Sequence, residues 1–158
     1  MPAAKLKELL DREQVKYLSI AHSPAFTAQE IAASAHIPGK EIAKTVMVRL
    51  DTTMAMAVVP ATCRVDLDRL RDLAGVGEAR LASEDEFRLL FPECETGAMP
   101  PFGNLYGLEV WADRGLAEDE QIAFNAGSHA ELIQMAYGDF ERLVQPKLAE
   151  FTMVAVPA

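Results

Sequence analysis

Three short stretches hold residue types that could do chemistry together. The first is Lys44, which opens the run Lys44-Thr45-Val46-Met47-Val48. In a strand, Lys44, Val46, Val48 and Leu50 share one face. That face is otherwise apolar and should look inward. An ammonium at the end of an inward row must reach water or meet an anion, because burying it unpaired is costly. It is either an anchor at a pocket mouth, aimed at a carboxylate, phosphate or oxyanion, or a lysine snorkelling from a strand end. The second stretch is Gly97-Ala98-Met99-Pro100-Pro101-Phe102-Gly103. Two prolines fix their φ angles and remove two donors, so the loop is stiff. Its glycines permit close backbone approach to a ligand. Such a loop can aim N–H groups at an anion or a carbonyl oxygen, or it can simply connect a helix to a strand. The third is Asn125-Ala126-Gly127-Ser128-His129. It is either a polar rim for a substrate hydroxyl, amine or phosphate, or a hairpin turn, which draws on the same residue types.

Other chemistries find less support. His22, His36 and His129 are far apart and form no HxxxH or HExxH pattern, so zinc catalysis is not expected. Cys63 and Cys94 have no metal-site spacing and read as two reduced cytosolic thiols. A Cys63–His nucleophilic pair is compatible with spacing, since triads assemble in space. Cys63 has no supporting motif, however, and reads better as a small core or edge residue. Nucleotide-binding glycine loops and a nucleophile elbow are missing. No cofactor and no metal are expected.

The elements that must position these stretches follow from pattern. The 158 residues are half apolar and a quarter charged, which predicts one globular domain over residues 1–158. Leu6, Leu9 and Leu10 at helical spacing predict a first helix over Lys5 to Glu13. A short strand follows over Tyr17 to His22. Thr27-Ala28-Gln29-Glu30 is a capping box, and its helix ends at Pro38-Gly39. Lys44 to Leu50 and Met54 to Pro60 read as two strands, the second apolar on both faces and therefore central. Asp66 to Leu73 is a helix stopped by Gly75 and Gly77, and Ala79 to Ala82 is a short strand. Ser83-Glu84-Asp85-Glu86 caps a helix that Pro92 terminates. Glu93 to Leu105 is irregular. Three late strands, Leu108 to Ala112, Gln121 to Ala126 and Glu131 to Ala136, precede a helix over Tyr137 to Leu143 and a tail. The mixture predicts an α+β fold with a mixed sheet.

Charge and targeting bound the partners. Fifteen basic against 24 acidic residues give a net charge of -9. That excludes a binder that carpets nucleic acid, though not a small basic mouth on an acidic body. The N-terminus lacks a signal-peptide core. The apolar run from Met54 to Ala61 is far short of the roughly 20 residues of a spanning helix. A cytoplasmic protein without a membrane partner is expected.

Taken jointly, Lys44-Thr45-Val46 opening a strand, Gly97-x-x-x-Pro101 within Pro-Pro-Phe-Gly, and Asn125-Ala126-Gly127 between strands carry more than each alone. In their order and spacing the sequence resembles the YbaK and prolyl-tRNA synthetase-associated editing domains, from the first helix to about Phe151. The resemblance implies a mixed, partly barrel-like sheet flanked by helices. It implies a free-standing aminoacyl-tRNA deacylase that needs no metal. Such an enzyme hydrolyses the ester of a mischarged small amino acid at the tRNA acceptor end, with a synthetase as a further partner. By the same resemblance, Lys44, Gly97 and Gly127 are the catalytic positions. Lys44 holds the tRNA 3′ end, and the Gly97–Pro101 backbone places the ester carbonyl and the water. His22, Met99, Pro100, Pro101, Phe102, Gly103, Asn125, Ala126, Ser128 and His129 line the substrate. The proton acceptor is either a protein group or the substrate's own amine or ribose 2′-hydroxyl. Against the acidic net charge, either Lys40, Lys44 and Arg64 form a local positive mouth for the terminal nucleotides, or the protein meets its tRNA while a synthetase still holds it. The alternative is a module of this fold that binds aminoacyl-tRNA or a synthetase without hydrolysis.

Overall fold

The computed structural model describes residues 4–21, 37–95 and 97–154. His22 and the Thr27–Ala35 helix lie outside the described residues. In chain order the described elements are α1 (Ala4–Arg12), β1 (Tyr17–Ala21), β2 (Ala43–Leu50), β3 (Thr53–Pro60), β4 (Cys63–Val65), α2 (Leu67–Ala74) and β5 (Ala79–Leu81). There follow α3 (Glu84–Phe87), β6 (Glu109–Asp113), β7 (Gln121–Asn125), β8 (Glu131–Ala136), α4 (Tyr137–Val144), β9 (Lys147–Ala149) and β10 (Thr152–Val154).

The fold is α+β with mixed sheets, as the residue pattern predicts. Five strands form one sheet in the order β5-β2-β3-β6-β9, antiparallel from β5 to β3 and parallel from β3 to β9. Three more form an antiparallel sheet, β1-β8-β7. A parallel bridge from Ile42, just before β2, to Ala123 in β7 joins the two. The described strands close no barrel.

β3 is central because both of its faces are apolar. Met56 and Val58 enter the main core with Phe102, Phe124, Phe140 and the α1 leucines. Ala55, Ala57 and Val59 enter a second core with Val48, Leu50, Leu70 of α2, Trp111 and Phe151. All five of these β3 residues are fully buried. In the main core the Phe102 ring tilts against Phe124 and meets Phe140 edge-on, both at 5.6 Å, the arrangement that the aromatic quadrupole favours.

Local signals set the element ends. Asp66 caps α2 by accepting the Arg69 N–H, and Gly75 closes it at φ +70°. Ser83 and Glu86 form the capping box of α3. That helix is shorter than the pattern predicts: after Phe87 the chain tightens into a 3-10 turn over Arg88–Leu90 before Pro92. β4, β9 and β10 are absent from the sequence prediction, because three residues hold too little alternation to signal a strand. What holds the tail is a buried carboxylate. Asp113 accepts from the Gly115 N–H, the Phe151 N–H and the Thr152 hydroxyl.

Glu86 ties three elements together. It accepts from both terminal nitrogens of Arg80 at 2.9 Å and from the Ser83 N–H at 2.8 Å, and Arg49 of β2 lies 3.2 Å away. The Arg80 hydrogen bonds, then the Ser83 amide, pull its pKa from 4.5 to about 2. A depressed carboxylate stabilises the fold above its unfolded pKa and loses that contribution as pH falls through the folded value. Glu86→Gln should therefore be less stable than the parent at neutral pH. The gap should close between pH 4.5 and about 2 in paired urea titrations.

Candidate functional site

The Ile42–Ala123 bridge sets the site. Both strands leave it in the same direction, and alternation keeps Ile42 with Lys44 and Ala123 with Asn125 on one face each. Ile42 and Ala123 belong to one apolar cluster with Ile37, Ala61 and Leu132. Lys44 and Asn125 therefore stand on that same side, two residues past the bridge. Lys44 pairs with Val59 across the hairpin, and Val48 and Leu50 further along its row are buried in the second core. The lysine is half-buried at the open end of that row. Burial pulls its pKa below the ordinary lysine value, and the nearness of Cys63 works in the opposite direction.

Cys63 reaches this position because the chain wraps around the start of β2 after β3. The Ala61 N–H donates to Ile42 O at 2.8 Å, and β4 begins two residues later. No local motif announces that proximity.

The two glycine loops form one unit. The Gly127 N–H donates to Ala98 O at 2.9 Å, and the Glu95 N–H donates to Gly127 O at 2.8 Å. Gly97 and Gly127 have φ of +85° and +90°, a region in which a side chain is strained. The His129 ring packs where a Gly97 Cβ would point, with Cε1 3.6 Å from that position. The His129 N–H donates to the Glu95 carboxylate, and the Ala130 N–H to Ser128 Oγ. Glu95 thus belongs to the site, though no pattern in the sequence singles it out.

Residues of the expected site separate by depth. Gly97 is exposed, and Lys44, Asn125, Ser128 and His129 are half-buried. Ala98 through Gly103 are all buried. Met99, Pro100, Pro101, Phe102 and Gly103 therefore seat the loop from behind. At Gly103 a Cβ would come within 2.6 Å of Val110 Cγ2, so the loop ends where only glycine fits. Ala126 and Phe102 are fully buried in the main core. His22 lies outside the described residues.

Two surroundings qualify the electrostatics. Lys40 sits 3.9 Å from Asp119 in a cleft also lined by Glu41, Glu118 and Glu120. Its charge is offset there, so Lys40 does not join Lys44 in a basic mouth. A cavity of about 440 Å³ opens on the other flank of the glycine unit, lined by Phe87, Arg88, Phe91, Cys94, Glu95 and Met99 among others. Among the described residues no three His, Cys, Asp or Glu are placed to hold a metal. No described helix is long and apolar enough to cross a membrane.

Comparison with known proteins places this arrangement. Multifunctional Ser/Thr-tRNA deacylase ProXp-y of Escherichia coli strain K12 is 36% identical over 101 residues, covering 63% of this chain and 60% of that protein. The match thus spans less than two thirds of that relative's length. Prolyl-tRNA editing protein ProX of Acetoanaerobium sticklandii is 25% identical over 142 residues, 86% of each chain. The structure of a candidate trans-editing enzyme for prolyl tRNA synthetase superposes with a TM-score of 0.82 at 21% identity, covering 96% of this chain and 97% of the other. That of hypothetical protein APE2540 reaches 0.85 at 21% identity, covering 94% and 99%. At these identities the two structures establish the fold. The model of the aminoacyl-tRNA editing domain matches residues 22–143, most of the length over which β2, both glycine loops and β8 are laid out, and this chain belongs to that family.

Proposed function

We propose that this chain is a trans-editing deacylase that hydrolyses the ester of a mischarged small amino acid on the acceptor end of a tRNA. The observation that carries the reading is the shared face of Lys44 and Asn125, beside two glycine loops locked into one unit, in a chain of the editing family. The names of the relatives support it: one is a Ser/Thr-tRNA deacylase, another a prolyl-tRNA editing protein. The reading places the protein in the cytoplasm, as a single domain working on tRNA that a synthetase has released or still holds.

An aminoacyl ester is already activated. Its hydrolysis requires a placed water and a polarised carbonyl more than a strong base. In this reading the Lys44 ammonium pairs with the phosphodiester near the 3′ end. The Gly97 and Gly127 backbone fixes the carbonyl and the water, and the strain-free glycines let that backbone approach the ester. The attacking water forms the new C–O bond as the bond to the ribose oxygen breaks, and the water's proton passes by way of the neighbouring 2′-hydroxyl to the departing ribose oxygen. Selectivity among small amino acids follows from the room available, at ~1–3 kcal/mol per methylene.

Substitution, pH and salt each test the reading. Lys44→Ala should slow single-turnover deacylation by about tenfold to a hundredfold, the worth of one charge-assisted contact. Release at the parent rate would remove Lys44 from the mechanism. If the parent binds mischarged tRNA and releases nothing across a panel of esters, the protein is a binding module. Because burial lowers the Lys44 pKa, the ammonium is lost at a pH below the ordinary lysine value of about 10.4. After subtraction of spontaneous hydrolysis, activity should fall on the alkaline side, and Lys44→Arg should move that limb upward. Cys63→Ala should retain most of the activity; abolition would point to a thiol nucleophile instead. Finally, the net charge of -9 leaves few phosphates to be neutralised, so the logarithm of affinity should fall only gently with the logarithm of salt concentration.

A further inference from the structure

The face that carries Lys44 also holds an acceptor that nothing among the described residues satisfies. Asn125 Oδ1 is shielded from solvent and accepts no hydrogen bond from any of them. Native structures seldom leave such a group orphaned. Nor can Asn125 withdraw. Its backbone is paired with Leu132 in the β7–β8 ladder, the next residue donates its N–H to Glu131 O, and Gly127 is tied to Ala98. The backbone that carries the amide is thus held in place, on the side where the bridge puts Lys44. Lys44 itself does not donate to it.

A fixed, desolvated acceptor beside a binding face calls for a donor that arrives with the ligand. An aminoacyl ester brings one at a set distance from the reacting carbon: the α-ammonium, one carbon away from the carbonyl. We propose that Asn125 Oδ1 accepts a hydrogen bond from the α-ammonium of the bound ester, and that this contact makes the site select aminoacyl over plain acyl esters. The inference rests on the deacylase reading and adds the group recognised. A site built to bond one polar group discriminates strongly against analogues without it, because its own acceptor is then left unpaired. The same contact disfavours peptidyl-tRNA, whose nitrogen is a neutral amide carrying a bulky chain.

The experiment compares alanyl, seryl and threonyl esters of one tRNA with their des-amino counterparts, the propionyl, 3-hydroxypropionyl and 3-hydroxybutanoyl esters. kcat/KM is measured for the parent, Asn125→Ala and Asn125→Asp. For the best aminoacyl ester, Asn125→Ala should lose about tenfold to a hundredfold, as for a bond to a charged donor. On the des-amino partner it should match the parent. Asn125→Asp keeps an acceptor and should keep the preference for the amine. Its retained selectivity separates loss of the contact from loss of the fold. Equal losses of Asn125→Ala on both esters, or loss of selectivity in Asn125→Asp as well, would overturn the assignment to the amine. A parent that hydrolyses neither kind of ester would overturn the deacylase reading, and the inference with it.

Discussion

Two backbone hydrogen bonds hold the candidate site together. Gly127 gives its N–H to Ala98 and receives that of Glu95, so a loop between α3 and β6 and a turn between β7 and β8 move as one body. Each of the two loops alone is a common connector. Bonded to each other, and packed on the Phe102–Phe124–Phe140 cluster below, they become a rigid rim. Gly97 and Gly127 both take positive φ at this junction. The stiffness supplied by Pro100 and Pro101 would be of little use without a partner to lock against.

The second constraint is the placement of one cation. Lys44 shares its row with Val48 and Leu50, both buried, and with half-buried Val46, and its charge is kept at the cost of partial desolvation. Elsewhere the basic residues are largely committed. Lys40 is neutralised in an acidic cleft, and Arg80 and Arg49 serve Glu86. On a strongly acidic body this leaves a local attraction and no broad field. Such a protein must recognise its ligand by fit at close range, where a few fixed dipoles outweigh long-range repulsion.

Much of this was legible in the residues, and the gaps have physical causes. The capping signals at Asp66 and Ser83, the helical spacing of the α1 leucines and the two-faced apolar run of β3 each act locally, and each appears in the fold as read. Lys44, Gly97 and Gly127 could be singled out because types such as glycine, proline and a lone lysine in an apolar row are locally unusual. Depth could not be read in the same way. Met99 through Gly103 look like an exposed loop in one dimension, yet Phe102 is fully buried because β7 and α4 bring Phe124 and Phe140 against it. The nearness of Cys63 to Lys44 and the bond from His129 to Glu95 are products of chain reversal. Neighbours in space that are strangers in sequence leave no local pattern.

The short strands after Pro146 carry a consequence for biosynthesis. Ala149 and Phe151 complete the second core, on the side of β2 that bears Lys44, and β10 lies along β4 next to Cys63. These pieces leave the ribosome long after the strand they support. A nascent chain could therefore assemble its rim early and still lack a firm backing for its lysine. Competence would wait until β9 and β10 dock.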